Sequence, residues 1–529
     1  MLTKIKRKLF KANHSASVIE RFFSDSPEFE PGDGKVLQYV GISSMYLSPM
    51  EILMYHLLRE QGFDVDYLVY DENVPINEVI TKEREESQGK ERFWNKSCAH
   101  GQAMLKAGKI PYKTIPISSL VQDEVDSLPD LNSVLGFQRD EIDFGNIVEG
   151  ALFRYYKSLS FGSDAELVAK RMLVTALSNY HCVKYLCEAN DYKYVLLSHG
   201  IYVTWQPVVE YCKKNGIEYI CYDRAKTKDH GNFNVSQPSP DWSFDEAWSK
   251  YAERELTNSE RQQVHKYLEE REHQQGDVYS YNSSNRSDSN EQKRQLGIPQ
   301  HRKCVTLFTN LIWDAANVSR DIAFSSALDC VEKTIEKFRD QDDVQVIIRS
   351  HPGEKVIGTE ERYDQLIRAK FGDNLPSNVT LITPEDNINS FTVIDMTDVG
   401  VVNTSTVGLE MAVLGKSVIV IADTHYRGKG FTLDATSSKD YFEMIDAALT
   451  STETEVSKQR LAEKYFYMMM FLYQQKLPIR YEAGVFKGYS SDSFKDLSNS
   501  DALRQIIQKL ADPKPQPKPQ LMEWSKKAA

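Results

Sequence analysis

Five short runs between residues 303 and 423, KCVTLFTNL, VQVIIRS, NVTLITP, TDVGVVN and KSVIVIAD, are apolar on both faces, and segments of helical period separate them. A strand that is apolar on both faces needs cover from two sides, which a parallel sheet flanked by helices supplies. The alternation therefore predicts a doubly wound α/β domain over residues 301–450. An earlier stretch repeats the plan. KVLQYVGISSMYLSPMEILMYHLLREQGFDVDYLVYD (35–71) reads as strand, polar loop, amphipathic helix stopped by Gly62, and strand. YKYVLLSHGIYVTWQPVVEYCKKNGIEYICYDRA (192–225) does so again, with Gly216 as the helix stop. Such βαβ units call for parallel pairing. Residues 35–250 are thus expected to form a first α/β domain, with a mostly helical stretch between its two units.

With 529 residues the chain is too long for one core. Residues 251–300 are rich in Ser, Asn, Gln and charge, and read as exposed helix followed by a linker between the domains. Residues 451–511 read as C-terminal helices, and 512–529, with DPKPQPKPQ, as an extended Pro/Lys tail. The net charge of −12 and a pI near 5.5 argue against nucleic-acid binding. Cys98, Cys182, Cys187, Cys212, Cys221, Cys304 and Cys330 show neither a CxxC pair nor metal-ligand spacing, and read as reduced thiols of a cytoplasmic protein. No run approaches the roughly 18 apolar residues of a spanning helix. The segment 1–34 opens with MLTKIKRKLFK, basic and without a signal-peptide core. It fits a peripheral contact with anionic lipid, and equally a solvated terminus.

In open α/β sheets, ligands sit beyond the C-terminal ends of the strands. Four polar loops fall there in the second half. FTNLIWDAANVSRD carries Asn310, Trp313, Asp314 and Arg320; RSHPGE carries Arg349, His351, Pro352 and Glu354. NTSTVGLE carries Asn403, Thr404, Ser405, Thr406, Gly408 and Glu410, and DTHYRGKGFT carries Asp423, His425, Tyr426, Arg427 and Lys429. Hydroxyls around a helix start suit an anion, Gly408 permits close backbone approach, and Glu410 one turn deeper suits a sugar or ribose diol. Each loop also has a plain reading: a helix cap at Asp314, a surface histidine fixed by proline, an N-cap with a helix-dipole charge, and a solvated basic turn.

FTNLIWDAA, RSHPGE and NTSTVGLEMAVLGKSVIVIADTHYRGKGFT resemble the bacterial capsule-polysaccharide biosynthesis glycosyltransferases, relatives of the capsule Kdo transferases. The resemblance is strongest over residues 303–445 and looser through YLSPMEILMYHLLREQGFDVDYLVYD, CAHGQAMLKAGKIPYKTI and SHGIYVTWQPVVEYCKKNGIEYICYDRA. It implies a GT-B architecture, two Rossmann-like domains facing across a cleft, with acceptor on the N-terminal side and nucleotide sugar on the C-terminal side. It implies that His351, Ser405 and Thr406 bind phosphate and that Glu410 binds ribose. The donor-binding set expected on this basis is Asn310, Arg349, His351, Pro352, Asn403, Thr404, Ser405, Thr406, Gly408, Glu410, Arg427 and Lys429.

Glycosyl transfer needs a stabiliser for the leaving phosphate and commonly a base for the acceptor hydroxyl. His351, Arg349 and the turn of Thr404, Ser405 and Thr406, with Arg427 or Lys429, are the expected stabilisers; His199, Asp223 and Asp314 are the candidate bases. No metal and no cofactor is expected, the nucleotide sugar being the substrate. A polysaccharide or glycolipid is the expected acceptor, and the inner face of the plasma membrane the expected place of any peripheral contact. Inverting and retaining routes stay open at this level. So do two other functions on the same fold: sugar-nucleotide epimerisation, and a non-catalytic scaffold in polysaccharide assembly.

Overall fold

A computed structural model describes residues 14–498 except 31, 33, 43–47, 242, 274–284, 315–319, 340, 373–374, 452–455 and 483–484. The basic segment 1–11 and the Pro/Lys tail lie outside the described residues. The chain forms two compact α/β units. Among the described residues the first comprises 14–155, 161–241 and 474–498, and the second 156–160 and 243–473.

The first unit is built on strands β1 (Gly34–Gly41), β2 (Phe63–Val69) and β3 (Tyr112–Thr114), followed by a small hairpin of β4 (Gln138–Arg139) and β5 (Ile142–Asp143). Then come β6 (Tyr192–Ser198), β7 (Tyr219–Arg224) and β8 (His230–Val235). The main sheet runs β8-β7-β6-β1-β2-β3, with the short strand Gln475–Lys476 added beyond β8. Pairings from β7 to β3 are parallel, and those involving β8 are antiparallel. The chain moves outward from β1 through β3, then returns to lay β6 on the other side of β1. That reversal creates a switch point between β1 and β6.

The second unit holds β9 (Lys303–Phe308), β10 (Val344–Arg349), β11 (Val379–Ile382), β12 (Val399–Val402), β13 (Ser417–Val420) and β14 (Leu433–Asp434). Their order is β11-β10-β9-β12-β13-β14, all parallel. Renumbered from β9, this is the 3-2-1-4-5-6 order of dinucleotide-binding sheets, with its switch point between β9 and β12. Of the doubly apolar runs, β10 and β12 are buried at every position, whereas the edge strand β11 is fully buried only at Ile382.

Two boundaries differ from the sequence reading. The polar stretch after residue 250 contributes helix Asn258–Glu272, which sits inside the second unit. A capping box joins Thr257 and Glu260, and Val264, Tyr267 and Leu268 form a buried stripe at i, i+3 and i+4. Three inward residues among so many charges leave only a faint periodic signal. The C-terminal stretch is split as well. Helix Val456–Tyr467 stays with the second unit, whereas residues 474–498 return to the first. There Leu477, Ile479, Phe486, Tyr489, Phe494 and Leu497 complete the first core, with the ring centroids of Tyr489 and Phe22 4.0 Å apart.

Glu51 gives that first core a pH dependence. It is fully buried in helix Ser48–Glu60, its Oε1 accepts from Tyr222 Oη at 2.9 Å, and its Oε2 has no partner among the described residues. Burial pushes its carboxyl up to about 8, against the opposing hydrogen bond of Tyr222. The folded state therefore holds a proton that the unfolded chain releases near 4.5. The stabilisation is fully present below that value and is lost as pH rises through about 8. Glu51→Gln should flatten this fall and raise stability at pH 9 by on the order of a few kcal/mol. Thermal melts of both proteins at pH 5 and pH 9 check it; parallel pH dependences would show that Glu51 does not titrate in this window.

Candidate functional site

In the second unit, register fixes which residues meet. Phe308 pairs with Arg349 on one side and with Val402 on the other, so the residues after them leave the sheet at one edge. Asn310 Nδ2 donates to Thr404 Oγ1 at 2.7 Å, tying the β9 loop to the β12 loop across the switch point. The His351 amide donates to Thr309 Oγ1 at 3.1 Å, bringing in the β10 loop. Three of the four loops expected to converge are thereby linked. At the same edge, Ser350 Oγ and Asn403 Oδ1 are buried with no hydrogen-bond partner among the described residues. Unpaired buried polar atoms are costly, and at a switch point they suit a ligand that supplies the missing partner.

His351 is half-buried. Its Nδ1 accepts from the Gly353 amide at 3.0 Å, so the neutral ring carries its proton on Nε2 as a donor. Pro352 is the N-cap of the short helix Gly353–Ile357. Thr404, Ser405 and Thr406 are half-buried, and Thr406 occupies the N-cap position of helix Val407–Val413 without a side-chain capping bond. Ser405 Oγ instead receives the Val407 amide at 3.4 Å.

Several expected donor residues have protein partners. Arg349 is buried, with Nη1 on the Thr383 carbonyl at 3.1 Å and Nη2 on the Ile388 carbonyl at 3.0 Å. It braces the loop after β11. Arg427 does the same for the sheet end, donating to the carbonyls of Val420 at 3.0 Å and Ala435 at 2.7 Å. Lys429 pairs with Asp245. Glu410 is buried and paired with Arg271 at 2.8 Å, a partner from the polar helix that sequence spacing could not reveal. Gly408 is bare for an internal reason: a Cβ there would come within 2.5 Å of the Tyr426 hydroxyl and 2.7 Å of Val402 Cγ2. That hydroxyl donates to the Ser405 carbonyl at 2.5 Å, so Gly408 admits Tyr426 and thereby shapes the hydroxyl turn. Asp314 stands in a turn closed by its own amide on the Leu311 carbonyl.

The first unit carries a second cluster at the C-terminal ends of β6 and β7. Ser198 of β6 lies in register with Tyr222 of β7, which places His199 beside Asp223. His199 Nε2 is 3.2 Å from Asp223 Oδ1, with both side chains about one-third exposed. Two residues proposed separately as bases are one dyad. Ser198 Oγ contacts Nδ1, and Trp205 stacks on the ring at 5.0 Å between centroids. Burial pulls the His199 pKa down, but the charge and hydrogen bond of Asp223 outweigh it and leave the ring above its ordinary value. His199 also sits at φ 48°, beside Gly200 at φ 81° and ahead of Tyr202 at φ 65°. Left-handed non-glycine residues of this kind concentrate at functional sites. Glu78, Arg154 and Thr204 complete the cluster, and none was evident from the sequence.

Residues 246–443 match the model of a family described as capsule polysaccharide biosynthesis protein. Over that range the sequence resemblance is borne out. The match takes in all four strand-end loops of the second unit. No curated protein matches the chain. Among solved structures, the chain is similar to a Thermosulfurimonas dismutans KpsC beta Kdo 2,4 transferase, at 16% identity over 58% of this chain and 88% of that one, with a TM-score of 0.35. It is similar to the beta Kdo 2,7 transferase of the same organism, at 14% identity over 62% and 89%, with a TM-score of 0.33. A UDP-GlcNAc 2-epimerase from Neisseria meningitidis bound to UDP-GlcNAc gives 11% identity over 81% and 94%, with a TM-score of 0.28. At such scores these likenesses decide neither activity nor substrate. Among the described residues no helix is long and apolar enough to cross a membrane.

Proposed function

We infer that the chain is a glycosyltransferase that moves a sugar from a nucleotide-sugar donor onto a growing capsular or other surface polysaccharide or glycolipid. The observation that carries this reading is the coincidence of the capsule-synthesis match with the switch point where Asn310, His351, Asn403 and Thr404 meet. In this reading the second unit binds the nucleotide sugar, with Ser405, Thr406 and His351 toward phosphate. Arg271 and Glu410 together form the polar wall toward ribose. The first unit binds the acceptor. The acceptor hydroxyl gives its proton to the His199–Asp223 dyad as its oxygen bonds to the anomeric carbon. The bond from that carbon to phosphate oxygen breaks, and the leaving phosphate takes the electron pair and the negative charge. The His351 Nε2–H meets that growing charge, a role that requires no divalent metal.

The reading places the protein in the cytoplasm, with the basic segment 1–11 touching anionic lipid. Equal liposome flotation with and without that segment would remove the lipid contact. The functional test is a thermal-shift panel of CMP-, UDP- and GDP-sugars on the full chain, followed by a transfer assay with the donor that binds. Saturation at about a hundred times Kd should stabilise the fold by about 2.7 kcal/mol. Product formation should persist in EDTA. Absence of any nucleotide response, or release of a free epimerised nucleotide sugar, would overturn the transferase reading.

A further inference from the structure

Glu78 stands in a turn between β2 and β3, and the residue is only 5% exposed. Its Oε2 accepts from Thr204 Oγ1 at 2.8 Å, while its Oε1 is buried with no partner among the described residues. Thr204 stands in the first turn of helix Tyr202–Asn215, immediately beyond the left-handed turn that carries His199. The fit there is close: a Cβ on Gly41, at the end of β1, would come within 2.4 Å of Thr204 Cγ2. Behind Thr204 runs a buried chain of hydrogen bonds. Tyr70 Oη donates to Thr204 Oγ1 at 3.4 Å, Asn179 Nδ2 to Tyr70 Oη at 2.5 Å, and Tyr39 Oη to Asn179 Oδ1 at 2.6 Å.

For anchoring alone a carboxyl is a poor choice. A glutamine would accept from Thr204 equally well and carry no charge to desolvate, whereas an ionised carboxylate is costly in so closed a place. The acid therefore points to a task that depends on charge. We propose that Glu78 is a positioning residue of the His199 site, holding through Thr204 the turn that presents the imidazole and supplying it with a second negative neighbour besides Asp223. The assignment rests on the transferase reading only for what the dyad does to substrate.

The groups facing Glu78 are Arg154, whose Nε donates to the Glu78 carbonyl at 3.0 Å, His199, and the phenols of Tyr70 and Tyr39. Burial pushes the Glu78 carboxyl up to about 7, against the hydrogen bond from Thr204 and the charges of Arg154 and His199. Ionised Glu78 in turn raises the proton affinity of His199.

Glu78→Gln keeps the acceptor for Thr204 and removes the charge. In the full-length protein with 13C-labelled histidine, the His199 resonance, assigned by its loss in His199→Gln, should titrate at lower pH in Glu78→Gln than in the wild type. The acid limb of kcat/KM should move in the same direction. Thr204→Val, which keeps the acid but cuts its hydrogen bond, should move the His199 midpoint down by less, because the carboxyl then ionises later. An unmoved His199 midpoint in both variants would overturn the proposal and leave Glu78 as core. The titration needs no turnover, so it stands apart from the transferase reading, which fails separately if the wild type forms no product.

Discussion

His199→Gln should lower the rate of transfer roughly a hundred- to ten-thousandfold, the range lost when a positioned general base is removed. The dyad geometry explains why glutamine cannot substitute. Asp223 Oδ1 lies 3.2 Å from Nε2, and in the proposed reaction it would stabilise the imidazolium formed when the acceptor hydroxyl gives up its proton. An amide of similar size keeps a polar group beside Asp223 but has no basic nitrogen. Asp223→Asn should show a large loss too, and the double variant should be scarcely slower than the worse single one, since two groups acting as one unit are not additive. The pH profile adds a sign. Asp223 raises the proton affinity of His199, and the base works in its neutral form, so activity rises as pH passes the His199 midpoint. Asp223→Asn should therefore shift that rise to lower pH while lowering the plateau. Steady-state rates across pH, on the donor found by the nucleotide panel, check both statements. Wild-type turnover in His199→Gln would move the base elsewhere.

The dyad also marks where sequence reasoning reached its limit. His199 and Asp223 were each visible, because each lies at the end of an apolar run that had to be a strand. Their pairing was not, because it depends on the one-to-one register of Ser198 with Tyr222. Both Rossmann-like units were legible for the same reason as the strands, since doubly apolar runs admit few other uses. The return of residues 474–498 to the first unit was not. Leu477, Ile479, Phe486 and Tyr489 signal burial, but nothing local says which core they join. Arg271 lies in a polar stretch and Glu78 in a mixed one, and their meaning comes from partners 139 and 126 residues away, Glu410 and Thr204. Composition reads such stretches as surface. Gly408 shows the opposite error: its bareness was legible, but the group it admits is the Tyr426 hydroxyl, from the next loop along the edge.

His351→Ala should cripple transfer by roughly a hundred- to a thousandfold, the usual loss when one preorganised donor to a developing anion is removed. The sequence places His351 at the end of a buried strand; the structure adds how it is aimed. The Gly353 amide on Nδ1 fixes the tautomer, so the neutral ring presents Nε2–H, and the backbone bond to Thr309 Oγ1 holds the loop against β9. Alanine keeps the second bond and loses the first. One hydrogen bond of this kind contributes about 0.5–1.5 kcal/mol net, so the variant should melt only a few degrees below the wild type. His351→Asn, whose side-chain oxygen can accept from the Gly353 amide, should recover part of that stability. Recovery of turnover should be much smaller, because the shorter amide cannot place a donor where Nε2 stood. Rates and melting curves on the three proteins separate the two roles. Turnover that followed melting temperature, rather than the presence of the imidazole, would make His351 a loop brace and return the phosphate to other residues of the switch point.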